Sequence, residues 1–407
     1  REYYNWFYIF CLILFLFSIL NYFLSKKLLR YSTIIFLSIF FSLYLSESFI
    51  IYKKIKNKDK ISYQQSLKEK IYEKENGIKW DRRSRSKIYL DLKSINPSVA
   101  VTVPPSFFIY ENFSVFPLSG ISSSQTISCN ENGFYSVYYS DRYGFNNPDN
   151  EWSQTEVEYL ITGDSFAHGE CVNRPNDLTS VLRVLSGKSA LNLAYGGNGP
   201  LIKYAVLREY LNKNIKKVLW VHFEGNDLSD LIDELENKIL LNYINNPSFS
   251  QQLIFNQKKI NKLASYAIDI EMNNKSATER IINFTRFVKL WNLREFLFNF
   301  NLKLKLPYLE YKKILKLTNE LVKQNGSQLY FIYLPEFSRF KKNYKKEKYD
   351  MVKKIVYELN IPFIDIPNEV FKKEENPLKL FPFESYGHYT VEGYHKVGKV
   401  IYKLTKN

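Results

Sequence analysis

The sequence is poor in the residues that build metal centres and disulfide frameworks. Three cysteines, Cys11, Cys129 and Cys171, and four histidines are scattered over 407 residues. Neither set has metal-ligand spacing, so no metal and no other cofactor is expected. Cys11 sits in an apolar run, while Cys129 and Cys171 suit either a bridge in an oxidising compartment or two buried thiols. No DNA- or RNA-binding motif accompanies the excess of Lys+Arg over Asp+Glu, 57 to 41. The lysines are spread along the whole chain, which argues against a nucleic-acid partner and suits a surface near an anionic bilayer. Internal repeats are absent. Disorder is excluded by a 45% hydrophobic and 17% aromatic content, and the length fits one sizeable core with appendages.

Long apolar runs are confined to the N-terminus. Residues 3–24 carry no charge, and a helix of that length, rising ~1.5 Å per residue, spans the roughly 30 Å hydrocarbon core of a bilayer. The run exceeds the apolar core of a signal peptide, and no Ala-x-Ala-like cleavage site follows it. A second run, residues 31–52, is interrupted only by Glu47. The short link Ser-Lys-Lys-Leu-Leu-Arg between the runs makes residues 1–52 a transmembrane hairpin with both ends on one side of the bilayer. Tyr3, Tyr4, Trp6, Tyr22, Tyr31 and Tyr52 suit the interfacial aromatic belt. Charge alone slightly favours a cytoplasmic domain, because Lys53, Lys54, Lys56, Lys58 and Lys60 after the hairpin outnumber Lys26, Lys27 and Arg30 in the link. The chain begins with Arg1 rather than Met, which leaves room for an earlier segment whose charges would enter the same count.

Residues 53–98 read as a charged spacer, helical or flexible. Residues 99–158 read as a β-rich lead-in, with short strands expected at 99–103, 107–110 and 134–139 between Pro, Gly, Ser and Asn. From residue 159 to 407, apolar strand-like runs at 159–161, 190–193, 217–223, 328–334 and 362–365 alternate with helical stretches. That alternation predicts an α/β domain, a three-layer doubly wound parallel sheet. A helical stretch at about 228–306, without strand signal, is expected to be an insertion capping one sheet edge.

In such sheets ligands sit beyond the carboxyl ends of the strands. Four of those ends carry chemistry: Gly163-Asp164-Ser165, the glycines of 196–199, Glu224-Gly225-Asn226-Asp227, and Tyr386-Gly387-His388 before a final helix. Together these blocks, in this order, resemble the SGNH/GDSL hydrolase superfamily over residues 159–403. Residues 140–149 (Ser-Asp-Arg-Tyr-Gly-Phe-Asn-Asn-Pro-Asp) look like the lead-in of membrane-anchored, envelope-type bacterial members.

The resemblance implies that Ser165 is the nucleophile and His388 the base that takes its proton. It also implies an oxyanion hole made by the N–H groups of Ser165 and Gly197 and the amide of Asn226, each such donor being worth ~3–4 kcal/mol. Asp164 reads as structural, and so do His168, His222 and His395, which have no place beside Ser165 in the family pattern. Two departures stand out. Glu224 replaces the usual glycine of the third block, and Ser385 replaces the aspartate three residues before the histidine. Glu384, a backbone carbonyl or Asp365 is left to orient His388. The implied function is a serine esterase acting on O-acyl groups of envelope glycans or lipids. An O-acyltransferase with the same site, or a catalytically weakened membrane-tethered binding protein, is the alternative. The hydrolase domain is expected on the periplasmic side of a bacterial inner membrane, with the hairpin link in the cytoplasm.

Overall fold

The computed structural model describes residues 2–23, 25–212, 214–273, 276–301 and 306–406. They group into two units, residues 1–66 with 275–305, and residues 67–274 with 306–407. Arg1, Leu24 and the side chains of Tyr3, Tyr4 and Trp6 lie outside the described residues.

Helices α1 (Glu2–Tyr22) and α2 (Lys26–Asn76) cover the two apolar runs. Among the described residues, α2 is the one helix long and apolar enough to cross a membrane. No boundary separates that run from the charged spacer. The stretch after Tyr52 is rich in Lys, Glu and Gln and free of Pro and Gly, so the helix continues. It stops at Gly77, whose φ of +67° supplies a left-handed residue after the last turn.

In the larger unit, α3 (Arg85–Lys93) is capped by Ser84, whose hydroxyl accepts from the Lys87 N–H. Strands β1 (Ala100–Val101), β2 (Gln125–Ile127) and β3 (Val137–Tyr139) form a small sheet in which β1 and β2 are parallel and β2 and β3 antiparallel. The strand expected at 107–110 is absent. A 3-10 turn at Pro105–Phe108 occupies the place, because Pro104 and Pro105 have no N–H to give a ladder.

The main sheet begins with β4 (Val157–Thr162), followed by α4 (Ser165–His168), α5 (Leu178–Ser186), β5 (Ala190–Asn192), α6 (Pro200–Tyr210) and β6 (Ile215–Phe223). Then come α7 (Asp227–Glu234), α8 (Lys238–Asn245), α9 (Gln257–Asn273), α10 (Ser276–Val288), α11 (Trp291–Asn301) and α12 (Tyr308–Gln324). The chain ends with β7 (Gln328–Leu334), α13 (Glu347–Glu358), β8 (Phe363–Asp365), α14 (Ile366–Glu369) and α15 (Val391–Thr405). The five strands are parallel, as the alternating pattern predicts, and lie in the order β5-β4-β6-β7-β8. Each face is apolar. Val218 and Trp220 of β6 join Leu329, Phe331 and Tyr333 of β7 in one core, while Leu219, Val221 and Phe223 join Tyr330, Ile332 and Leu334 in the other. Burial on both faces explains why these strands read as continuous apolar runs. The chain leaves β4 to one side for β5 and returns to the other for β6, so the topological switch point lies at the carboxyl ends of β4 and β6.

The helical stretch expected to cap a sheet edge is divided between the units. Helix α9 buries Ile260, Ala267 and Ile268 in the first core, whereas residues 275–305 group with the N-terminal helices.

Candidate active site

Ser165 opens α4 directly after β4. Gly163 allows the tight turn, since a Cβ there would lie 2.3 Å from the Ala167 Cβ and 3.0 Å from the Val221 Cβ. Asp164 is fully buried, and its carboxylate caps the helix by accepting from the Phe166 N–H at 3.0 Å. Ser165 is thereby held at the mouth of the sheet. Its Oγ lies 2.9 Å from His388 Nε2, and the imidazole rests against the Phe166 ring with centroids 4.7 Å apart.

The carboxylate beside His388 is neither Glu384 nor Asp365. His388 Nδ1 lies 3.1 Å from Glu131 Oε1, and the His388 backbone N–H donates to Glu131 Oε2 at 2.7 Å. With Nδ1–H donating to the carboxylate, Nε2 is left as the acceptor facing Ser165. Glu384 is exposed, in a loop where Phe383 and Glu384 are successive left-handed residues with φ of 54° and 49°. Asp365 is engaged elsewhere, with Tyr349, Lys353 and Asn368.

Glu131 lies in the loop between β2 and β3, far from His388 in sequence. Several bonds hold it there. A Cys129–Cys171 disulfide ties the loop to the segment following α4, and Asn132 Nδ2 donates to the Cys171 carbonyl at 2.9 Å. Gly133, with φ +91°, lets the loop lie against Tyr72, where a Cβ would meet the ring at 2.4 Å. The sequence held one signal for this arrangement: a bridge between Cys129 and Cys171 would bring the residue two places after Cys129 beside the Gly-Asp-Ser block. Among the described residues, Cys129, Cys171 and His388 form a cluster of metal-ligand types, but the two sulfurs are bonded to each other.

Electrostatics follow from these contacts. Burial opposes the charged imidazole, yet the hydrogen bond and charge of Glu131, reinforced by Glu170, outweigh it and raise His388 to about 9. Burial likewise pushes Glu131 upward, but its bonds to His388 and the Lys68 charge reverse this and hold it below the usual range. Glu170 Oε2 stands 3.9 Å from His388 Nε2, and burial raises its carboxyl.

Ser165, Gly196 and Gly197 line a cavity of about 510 Å³. Gly197 has φ +72°, and a Cβ on it would lie 2.5 Å from Ser106 Oγ, so it lines the cavity in a conformation that other residues would resist. Asn226 sits at the N-terminus of α7, beyond β6, and its amide Nδ2 donates to Asp230 at 2.7 Å. It is not among the cavity-lining residues. Burial, then the charges of Asp227 and Asp164, push Asp230 up to about 8.

The remaining singled-out residues are part of the scaffold. Glu224 binds Arg339, the Tyr333 hydroxyl and the Glu336 N–H, which ties the end of β6 to the loop after β7 and gives the departure from glycine a structural use. His222 Nδ1 lies 2.9 Å from Asp227, which also pairs with the fully buried Lys203. Burial drives His168 down to about 3, and His395 faces Asn176. The sequence pattern gave no hint of Lys203.

No protein-family model and no curated protein matches the sequence. Solved structures do. A lipolytic protein of the G-D-S-L family from Desulfitobacterium hafniense is 15% identical with a TM-score of 0.36, over 61% of this chain and 99% of its own. A member of that family from Veillonella parvula is 10% identical with a TM-score of 0.35, over 62% and 99%. The acetylxylan esterase Axe2 from Geobacillus stearothermophilus is 14% identical with a TM-score of 0.34, over 62% and 97%. The chain is similar to G-D-S-L lipolytic proteins and esterases.

Proposed function

We propose that this protein is a serine esterase of SGNH type that removes O-acyl groups, acetyl in particular, from envelope glycans through an acyl-serine intermediate. The observation that supports it is the continuous chain Ser165, His388, Glu131 opening into a cavity. Ser165 Oγ attacks the ester carbonyl while its proton passes to His388 Nε2, and the resulting imidazolium is stabilised by Glu131. The negative oxygen faces the N–H groups of Ser165 and Gly197. His388 then returns the proton to the leaving alkoxide, and water releases the acyl group by the same steps in reverse roles. Among the residues of the cavity wall, Arg85, Thr102, Ser106, Ser128, Tyr135 and Glu170 offer hydrogen-bonding groups that suit sugar hydroxyls. The Glu131 carboxylate beside His388 supports the catalytic reading over that of a weakened binding protein.

The test is a fluorophosphonate probe on the purified chain together with turnover of an acetylated oligosaccharide. Stoichiometric labelling of the wild type that vanishes in Ser165→Ala is expected. A folded wild type that neither labels nor turns over ester would remove the assignment. Comparing acetate release with and without a glycan acceptor separates hydrolase from transferase.

The pH dependence follows from His388. Only the neutral imidazole accepts the serine proton, and Glu131 raises His388 to about 9, so kcat/KM should climb about tenfold per pH unit through neutrality and level near that value. In Glu131→Gln the rising limb should move to lower pH. A wild-type profile flat from pH 6 upward, measured with an ester whose spontaneous hydrolysis is subtracted, would contradict this electrostatic reading.

The N-terminal helices serve as a membrane anchor in this proposal, and the larger unit faces an oxidising compartment, which the Cys129–Cys171 disulfide favours. A C-terminal alkaline phosphatase fusion should be active and a green fluorescent protein fusion dark; the reverse pair would place the domain in the cytoplasm.

A further inference from the structure

A carboxylate in an apolar helix asks for a reason. Glu47 lies within the apolar run of α2 and is fully buried. Its Oε1 accepts from the Asn292 N–H at 3.1 Å and from Asn292 Nδ2 at 2.7 Å, and its Oε2 accepts from the Leu293 N–H at 2.6 Å. Glu47 thus caps α11 from another part of the chain, meeting N–H groups that the first turn of a helix leaves without intrahelical partners, with a charge of the sign that the helix dipole favours there. Further contacts fix the same pair of helices to α2. The Tyr44 hydroxyl donates to the Val288 carbonyl at 2.9 Å, Tyr44 packs on Phe287 with ring centroids 5.3 Å apart, and Lys54 reaches Asn292 at 2.8 Å and Glu295 at 2.9 Å.

We infer that α10 and α11 form an interfacial membrane helix pair, seated at the headgroup–acyl boundary and held at that depth by Glu47. The inference rests on the membrane-anchor reading of α2 given above. Depth follows from register: the contacts run from Tyr44 to Lys54, across the end of the apolar run, and Lys53 is six residues past Glu47, about 9 Å along a helix. The pair therefore sits where the bilayer gives way to water. Its exposed side chains suit that place. Ile282, Phe284, Val288, Trp291, Phe296 and Leu297 are 40–68% exposed, too apolar for a surface meant for water alone. Arg286, which lies over the Trp291 ring at 5.9 Å, and Lys289 add positive charge suited to anionic headgroups.

The experiment uses the full chain in phosphatidylcholine–phosphatidylglycerol vesicles, in a Cys11→Ser background that leaves no free thiol, with spin labels at Phe284→Cys, Phe296→Cys, Leu37→Cys and Val184→Cys. Leu37 is 60% exposed on the apolar run and Val184 72% exposed on the larger unit, so they report the bilayer interior and water. The expected result is a deep label at 37 and labels at 284 and 296 whose ratio of oxygen to nickel-chelate accessibility lies between those at 184 and 37. Glu47→Ala should raise label mobility at 284 and 296 and leave 37 unchanged. A deep label at 37 with labels at 284 and 296 as nickel-accessible as 184, or shielded from both reagents by protein, overturns the inference and leaves the anchor standing. A nickel-accessible label at 37 overturns the anchor and the inference with it.

Discussion

Ser165→Ala and His388→Ala are each expected to lower kcat by about a million-fold, and the double variant to be no worse than either alone. In the proposed mechanism the two side chains act on one event, transfer of the serine proton as the new bond to carbon forms, so removing either removes the event. Their 2.9 Å separation already has the geometry of that transfer. What should remain is a residual rate above that in water, owed to binding and to the backbone donors beside Gly197. Both variants should fold, since neither side chain fills the core, and a thermal melt close to that of the wild type checks this. Multiplying losses in the double variant would show that Ser165 and His388 act independently and would exclude the acyl-serine route.

Glu131→Gln is expected to lower kcat by about 10,000-fold with little change in KM, the size of effect seen when the acid of the serine-protease triad becomes an amide. The argument is local. Both Glu131 oxygens accept, one from His388 Nδ1 and one from the His388 backbone N–H. Glutamine has one oxygen and one NH₂ group, so either orientation turns a donor toward a donor. If the NH₂ faces Nδ1, the imidazole proton moves to Nε2 and the base can no longer accept from Ser165; if it faces the backbone, the segment carrying His388 is pushed out of place. Glu384→Gln, in an exposed side chain, should change kcat less than about twofold. A collapse with Glu384→Gln and a mild effect of Glu131→Gln would assign the orienting role to the residue the sequence pattern suggested.

The differing fates of these two glutamates show how far the chain could be read unaided. Strand and helix periods are local, and apolar runs such as 217–223 and 328–334 needed only their neighbours to declare a buried parallel sheet. Ser165 and His388 were legible for a related reason: each stands in a short block tied to the end of one element, and chain order together with the sheet rule brings those ends to one crevice. Glu131 obeys no such rule. Its nearness to His388 depends on a loop of the β-rich lead-in being folded back, bridged through Cys129 and Cys171, and allowed past Tyr72 by Gly133, three conditions set by distant residues. The division of the insertion is of the same kind. Composition marks 228–306 as helical, but not the pairing of Glu47 with the start of α11, 245 positions apart, nor the grouping of its last two helices with the N-terminal ones. Composition and period are properties of neighbours in sequence and can be read from the chain, whereas a hydrogen bond between remote loops exists only after the intervening chain has folded.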